Sequence, residues 1–235
     1  MKYNPPKTSS RFQVPRFMRI CSVDIEAHYR RLLFVGTKEI VVEGNRIRYL
    51  RYRPFHRADL LHSYLTNFNG LLIGHNWLRR DLVTLAEHFD VSDLVPKSTD
   101  TLLILKSRND GSYSDMSLES LATQNFALTK AHKRLGEKVF DIWRSDRLRA
   151  YRHNHLDCYL AFRLWFQLIT RREICTYGMV RMRDGSLHAR YLTLDDTDVR
   201  SLVEPRFTYR AWKRWKEEET EMVRTKRCSE EYRPV

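Results

Sequence analysis

Ile20-Cys21-Ser22-Val23-Asp24-Ile25-Glu26-Ala27 is a short apolar run carrying two carboxylates two residues apart. In an extended strand, side chains at i and i+2 emerge on one face, so Asp24 and Glu26 are expected side by side. Ile20, Val23 and Ile25 suit a strand buried in a sheet. Two anions held close and partly dry are costly without a cation between them. Either a divalent cation sits there, its oxygen ligands favouring Mg²⁺ or Mn²⁺ over zinc or copper, or the strand end is open and both carboxylates face water.

Outward from this strand, Leu32 to Val35, Glu39 to Val42 and Ile47 to Tyr52 read as three more strands, giving an opening antiparallel sheet. Arg57 to Phe68 has helical spacing, with Leu60, Leu61, Tyr64, Leu65 and Phe68 on its apolar side and Gly70 closing it. Leu71 to Gly74 is a short buried strand. His75-Asn76-Trp77-Leu78-Arg79-Arg80-Asp81 then opens a helix expected to run through Leu82 and Leu85 to His88 or Phe89. Asp81 near that N-terminus has a bland role available, compensation of the helix dipole, contributing ~0.3–1 kcal/mol. Asp100-Thr101 before Leu102 to Leu105 starts another strand or a short helix. Ser107 to Ser114 reads as a loop, Ser117 as a helix cap, and Lys130 to Lys138 as a strongly basic segment.

The helix expected over Arg147 to Ile169 is the second informative stretch. At ~100° per residue, Asp157 shares a stripe with Ala150, Leu160, Ala161, Leu164 and Leu168, and His153 lies one turn earlier on it. A carboxylate in an apolar stripe needs a partner. It belongs either to a site or to a buried hydrogen-bonded pair with His153 or an arginine. Arg149, Arg152, Arg163 and Gln167 gather on another side, expected to be solvated.

Met179 to Arg183, Asp184-Gly185 and Leu187 to Leu194 read as a hairpin with a tight turn. From Pro205 to Val235, basic residues alternate with Phe207, Tyr209, Trp212 and Trp215. These rings either stack single-stranded bases or dock a terminal helix on the core.

Composition bounds the partner. The chain has 235 residues, 42 Lys and Arg against 29 Asp and Glu, and a formal charge of +13. That surplus favours a polyanion, nucleic acid first and an acidic membrane surface second. No apolar run approaches the ~20 residues that span a bilayer, and residues 1–17 hold no signal-peptide core. Cys21, Cys158, Cys175 and Cys228 are scattered, without CxxC pairing or a disulfide framework, as expected of cytoplasmic thiols.

Four carboxylates thus stand out: Asp24, Glu26, Asp81 and Asp157. Their order and setting resemble the DEDD 3′→5′ exonuclease superfamily, and the resemblance covers about residues 18–170. The first motif of that superfamily is an apolar strand with Asp-x-Glu, here Ser22 to Ala27. The second has an Asn a few residues before Asp after a short strand; Gly74 to Asp81 looks like it, with the five-residue step of family B polymerase proofreading domains and YprB-like proteins. The third is Tyr, three residues, then Asp, or His, four residues, then Asp. His153-Asn154-His155-Leu156-Asp157 has the spacing of the tyrosine branch with histidine in the tyrosine's place, and Arg152 stands where the other branch has its histidine.

The resemblance implies an α/β fold, a ribonuclease H-like mixed sheet flanked by helices; the predicted hairpin and basic tail follow it at the C-terminus. The organisation read on this basis is a flexible basic arm (1–17), the exonuclease domain (18–170) and a hairpin with a basic aromatic extension (171–235). It also implies two Mg²⁺ or Mn²⁺ ions, with Asp24 bridging them, Glu26 and Asp157 completing one shell, and Asp81 holding the other ion through water. His153 is then the candidate base, since neutral imidazole accepts a proton near pH 7; its alternative is a hydrogen bond to Asp157. His155 and Tyr151 are the fallbacks, both off the Asp157 stripe. His75 and Asn76 are candidates for positioning a terminal nucleotide or bracing the loop. Arg80, where relatives carry Phe, is a candidate phosphate contact or a solvated side chain. The expected partner is single-stranded nucleic acid with a free 3′ end. A competing reading is a nuclease-fold module that has lost catalysis and binds nucleic acid or a protein.

Overall fold

The predicted acidic strand is β1 (Phe17–His28), the centre of the sheet in this computed structural model, which describes residues 12–28, 31–44, 46–108, 116–128, 138–181, 187–205 and 207–231. Its side chains alternate as an extended backbone dictates. Met18 and Ile20 enter one apolar core, Cys21 and Val23 the other. Both faces are therefore covered, which is why the run is apolar nearly throughout.

β2 (Arg31–Glu43) and β3 (Arg46–Phe55) continue the sheet antiparallel to β1. The two separate strands expected over 32–35 and 39–42 are one. Gly36-Thr37-Lys38 looks like a break in sequence, yet all three residues stay in the ladder, with Gly36 opposite Asp24 and Lys38 opposite Ser22. α1 (Ala58–Asn67) follows, and its end is made by Phe68, whose N–H bonds the Leu65 carbonyl. Gly70 has a different task from the predicted cap: a Cβ there would sit 2.4 Å from the Arg19 carbonyl oxygen, so it lets the chain pass β1.

β4 (Leu71–Gly74) runs parallel to β1, and β5 (Ser98–Asp100) parallel to β4. The order is β3-β2-β1-β4-β5, a mixed sheet. β4 ends at Gly74, level with Val23, so its C-terminal edge lies just before Asp24 on the longer parallel β1, at the edge where open α/β sheets build sites. Between β4 and β5 the predicted long helix is shorter: a π-helical turn over Trp77–Asp81, then α2 (Leu82–Leu85). α3 (Thr101–Ser107) starts directly from β5, α4 (Leu118–Phe126) is capped by Ser117 as predicted, and α5 (Val139–Ser145) leads into α6 (Arg147–Arg171). A hairpin of β6 (Glu173–Arg181) and β7 (Leu187–Thr193), then α7 (Asp196–Val203) and α8 (Tyr209–Glu231), complete the chain. Residues 1–11 of the predicted arm, 109–114 of the loop, 130–137 of the basic segment and the Asp184-Gly185 turn lie outside the described residues.

The layers are α/β/α. α6 lies on one face with α3, α7 and the hairpin, around Phe162, Leu164, Trp165 and Leu168. A fully buried side chain of this kind contributes about 1.5–3 kcal/mol, so the stripe following Asp157 seats α6 firmly on the sheet. The side expected to be solvated is partly covered by α4: the Arg163 guanidinium lies over Phe126 at 5.0 Å, and Gln167 Nε2 donates to Asn125 Oδ1 at 3.2 Å. α1, the π-helical turn and α8 cover the other face. Of the two readings of the terminal aromatics, docking holds for Trp212, which is buried and donates Nε1–H to the Leu78 carbonyl at 2.8 Å. Phe12 and Val14 also pack on the core. Among the described residues, no helix is long and apolar enough to cross a membrane.

Candidate metal centre

Period two on β1 and period 3.6 on α6 aim their polar residues at each other. Asp24 and Glu26 share the face of the sheet that α6 covers, and the α6 stripe presents His153, Asn154 and Asp157, all buried. Glu26, His153 and Asp157 converge: one potential ligand atom from each lies within 4.8 Å of the others. His153 Nε2 is 3.5 Å from Asp157 Oδ2, one helical turn away. The apolar stripe thus carries its carboxylate against the strand's, and the pairing of Asp157 with His153 is part of the same cluster.

Asp24 is placed differently from its neighbour. Asn154 Nδ2 donates to Asp24 Oδ2 at 2.8 Å and to the Asp24 backbone carbonyl at 3.1 Å, while the Tyr52 hydroxyl donates to Asn154 Oδ1 at 2.9 Å. Gly36, opposite Asp24, makes room: a Cβ there would lie 1.5 Å from Asn154 Oδ1. Asn154 and Gly36 were not singled out in the sequence. The available signal was an isolated glycine inside an apolar strand run, which marks a close approach.

The segment after β4 delivers Asp81. Asn76 takes a left-handed backbone, φ 70°, that turns the chain into the π-helical turn. Asp100 then organises the segment: its carboxylate accepts from the backbone N–H of Asn76 and of Leu78, each at 2.9 Å, and also caps α3. Asp100 too was missed as a site organiser, although Asp-Thr ahead of a leucine run is an N-cap signature. His75 braces this segment, with Nδ1 2.9 Å from Thr101 Oγ1 and Nε2 2.7 Å from the Met116 carbonyl oxygen. Arg80 is exposed and Asn76 half-buried. Asp81 is buried at the N-terminus of α2 and makes no side-chain cap hydrogen bond there.

Electrostatics link Asp81 to Glu26, and Asp24, Glu26 and Asp157 to the Cys158 thiol. Burial pushes the Asp81 carboxyl well above the usual carboxylate range; Arg80 opposes this, and the charges of Asp100 and Glu26 add to it. Burial also raises the Cys158 thiol, with Asp24, Asp157 and Glu26 among the anions that raise it further. The fallback base Tyr151 is committed elsewhere, its hydroxyl 2.7 Å from His56 Nε2. His155 lies against the Tyr52 ring, centroids 4.7 Å apart, and is lowered by burial and by Lys38. Arg152 is exposed.

The buried carboxylates of Glu26 and Asp157, with His153 beside them, are a fitting setting for a divalent cation. The oxygens suit Mg²⁺ or Mn²⁺, and the imidazole also accepts softer ions. No protein-family model, no curated protein and no solved structure matches the chain.

Proposed function

We propose that the chain is a metal-dependent 3′→5′ exonuclease of single-stranded DNA or RNA, built on a ribonuclease H-like sheet. The observation that carries this reading is the meeting of Glu26 from β1 with His153 and Asp157 from α6 within 4.8 Å. Asp81, from the segment after the neighbouring parallel strand, is buried and close enough for the charge of the same Glu26 to raise its carboxyl. Carboxylates gathered at one edge oppose phosphate binding unless cations join them.

Glu26, Asp157, Asp24 and Asp81 are the residues that would hold Mg²⁺ or Mn²⁺. Bound there, such ions lower the pKa of water and relieve charge on a leaving 3′-oxygen. The protein's own groups supply the rest. His153 takes the proton of the attacking water, and Asp157, 3.5 Å from its Nε2, orients the imidazole and stabilises its charge. Asn154 fixes the Asp24 carboxylate, so little side-chain freedom is lost when the acid is used. Exposed Arg80, next to Asp81, meets a substrate phosphate. The remaining positive surplus follows the strand through its phosphates, without reading sequence.

The test is degradation of 5′-labelled single-stranded DNA and RNA by the purified chain with Mg²⁺, Mn²⁺ or chelator. A ladder receding from the 3′ end, abolished by chelator and in Asp24→Ala and Asp157→Ala, is the expected result. Full activity in both variants, or no cleavage with either metal, overturns the reading. Binding without cleavage supports instead a module that holds nucleic acid.

A further inference from the structure

Lys38 lies mid-strand in β2, and its burial is unusual for a lysine: only 8% of it is exposed. A cation so placed is normally paired. Among the described residues Lys38 has neither an ion pair nor a side-chain hydrogen bond; its ammonium faces the ring of Tyr49, 5.7 Å from the centroid. Lys38 is opposite Ser22 on one side and Tyr52 on the other. That row faces α6, since Ser22 Oγ donates to the Cys158 carbonyl and Tyr52 bonds Asn154. His155, on the ring of Tyr52, is close enough to feel the Lys38 charge. Tyr49 keeps 40% of its surface open. The next row along the strands is Asp24 and Gly36, roughly 7 Å away.

A buried lysine without an ion pair, its ammonium against the open ring of Tyr49 and its row next to that of Asp24, lacks an anion. We propose that Lys38, with Tyr49, Tyr52 and His155 around it, is a phosphate-binding subsite that holds the backbone of a single strand beside the acid cluster. Lys38 supplies the charge, His155 a ring N–H, and Tyr49 a face on which a base or ribose packs. The carboxylates and the lysine then divide the work, metal on one row and phosphate on the next. That the phosphate belongs to a nucleic-acid strand depends on the nuclease reading; the anion site itself does not.

The experiment uses the full chain in chelator, so that binding is read without cleavage. A labelled single-stranded oligonucleotide is titrated at several salt concentrations against wild type and Lys38→Met, with inorganic phosphate and a nucleoside monophosphate as competitors. Lys38→Met should bind about tenfold more weakly, the loss of one charge-assisted contact, and its log–log salt slope should be shallower by ~0.7. Its thermal midpoint should stay level or rise, since methionine fills the space without a buried charge. An unchanged slope and affinity overturn the subsite. Competition by inorganic phosphate alone, with none from the nucleotide, assigns free anion and overturns the strand-holding role. If Lys38→Met does not fold, carbon-labelled lysine in the wild-type chain decides: the oligonucleotide must shift the Lys38 side-chain resonance, and an unmoved signal removes the proposal. Cleavage by wild type with no slope change in Lys38→Met removes the subsite and keeps the nuclease; a lost slope in a chain that never cleaves does the reverse.

Discussion

Asn154 grips Asp24 twice, donating from one amide nitrogen to the carboxylate at 2.8 Å and to the backbone carbonyl of the same residue at 3.1 Å. The grip depends on Gly36, because a Cβ there would fall 1.5 Å from Asn154 Oδ1. Gly36→Ala should therefore destabilise the chain by about 1–3 kcal/mol through overpacking. Part of that loss should vanish in an Asn154→Ala background, which removes the closest contact and leaves Tyr52 Cε2 at 2.9 Å. Urea unfolding of the two single variants and the double variant measures the coupling; additive losses would contradict the contact.

Asp81 gives a pH dependence of definite sign. Burial raises its carboxyl in the folded chain above the unfolded value. Its contribution to stability is then fully present below about pH 4 and is lost as pH climbs through the folded value. In chelator, Asp81→Asn should flatten this decline and make the chain more stable than wild type at neutral pH. Mn²⁺ competes with the proton, so the rise in thermal midpoint on adding Mn²⁺ should grow from pH 5 to pH 8 and shrink in Asp81→Asn. At a hundredfold excess over the dissociation constant the ion adds about 2.7 kcal/mol. A metal-induced shift independent of pH would remove Asp81 from the centre.

For His153, the measurement is the cleavage rate on a bound oligonucleotide. His153→Ala should lower it by ~10²–10⁴ while the dissociation constant in chelator changes little. His153→Tyr, the residue type that the tyrosine branch carries at this spacing, should recover part of the rate. Equal rates in all three chains would leave proton transfer to the metals and solvent.

Trp212 ties α8 to the turn that carries Asp81, through its bond to the Leu78 carbonyl. Trp212→Phe removes that donor and part of a buried ring, and should cost about 1–3 kcal/mol. The turn would loosen before the sheet does. Hydrogen exchange at residues 77–82 should accelerate more than exchange in β1 and β2; uniform acceleration would mean that α8 supports only the global fold.

The sequence made one half of this centre legible. Asp24 and Glu26 declare themselves by period two in an apolar run, Asp157 and His153 by period 3.6 in an apolar stripe. Each pattern is local, so each survives without tertiary knowledge. What brings Glu26 to His153 and Asp157 is the docking of α6 on β1, a long-range event with no local trace. The role of Gly36 lies in Asn154, more than a hundred residues away. Asp100 looked like a strand or helix start, whereas it also satisfies two amides of the Asn76–Leu78 turn. The π-helical turn has no periodicity of its own and was read as the start of a longer α-helix.

The bond from Asn154 to Asp24 joins residues 130 apart in the chain. At 5–20 residues per second of synthesis, the acids of β1 wait roughly 7–26 s for the helix that completes their site. β1, β2 and β3 pair through neighbouring segments and can form during that interval. The sheet is thus ready long before the cluster. On the nuclease reading, the growing chain carries its acidic strand past messenger and ribosomal RNA while it still lacks His153 and Asp157, so the order of synthesis keeps it silent until α6 arrives.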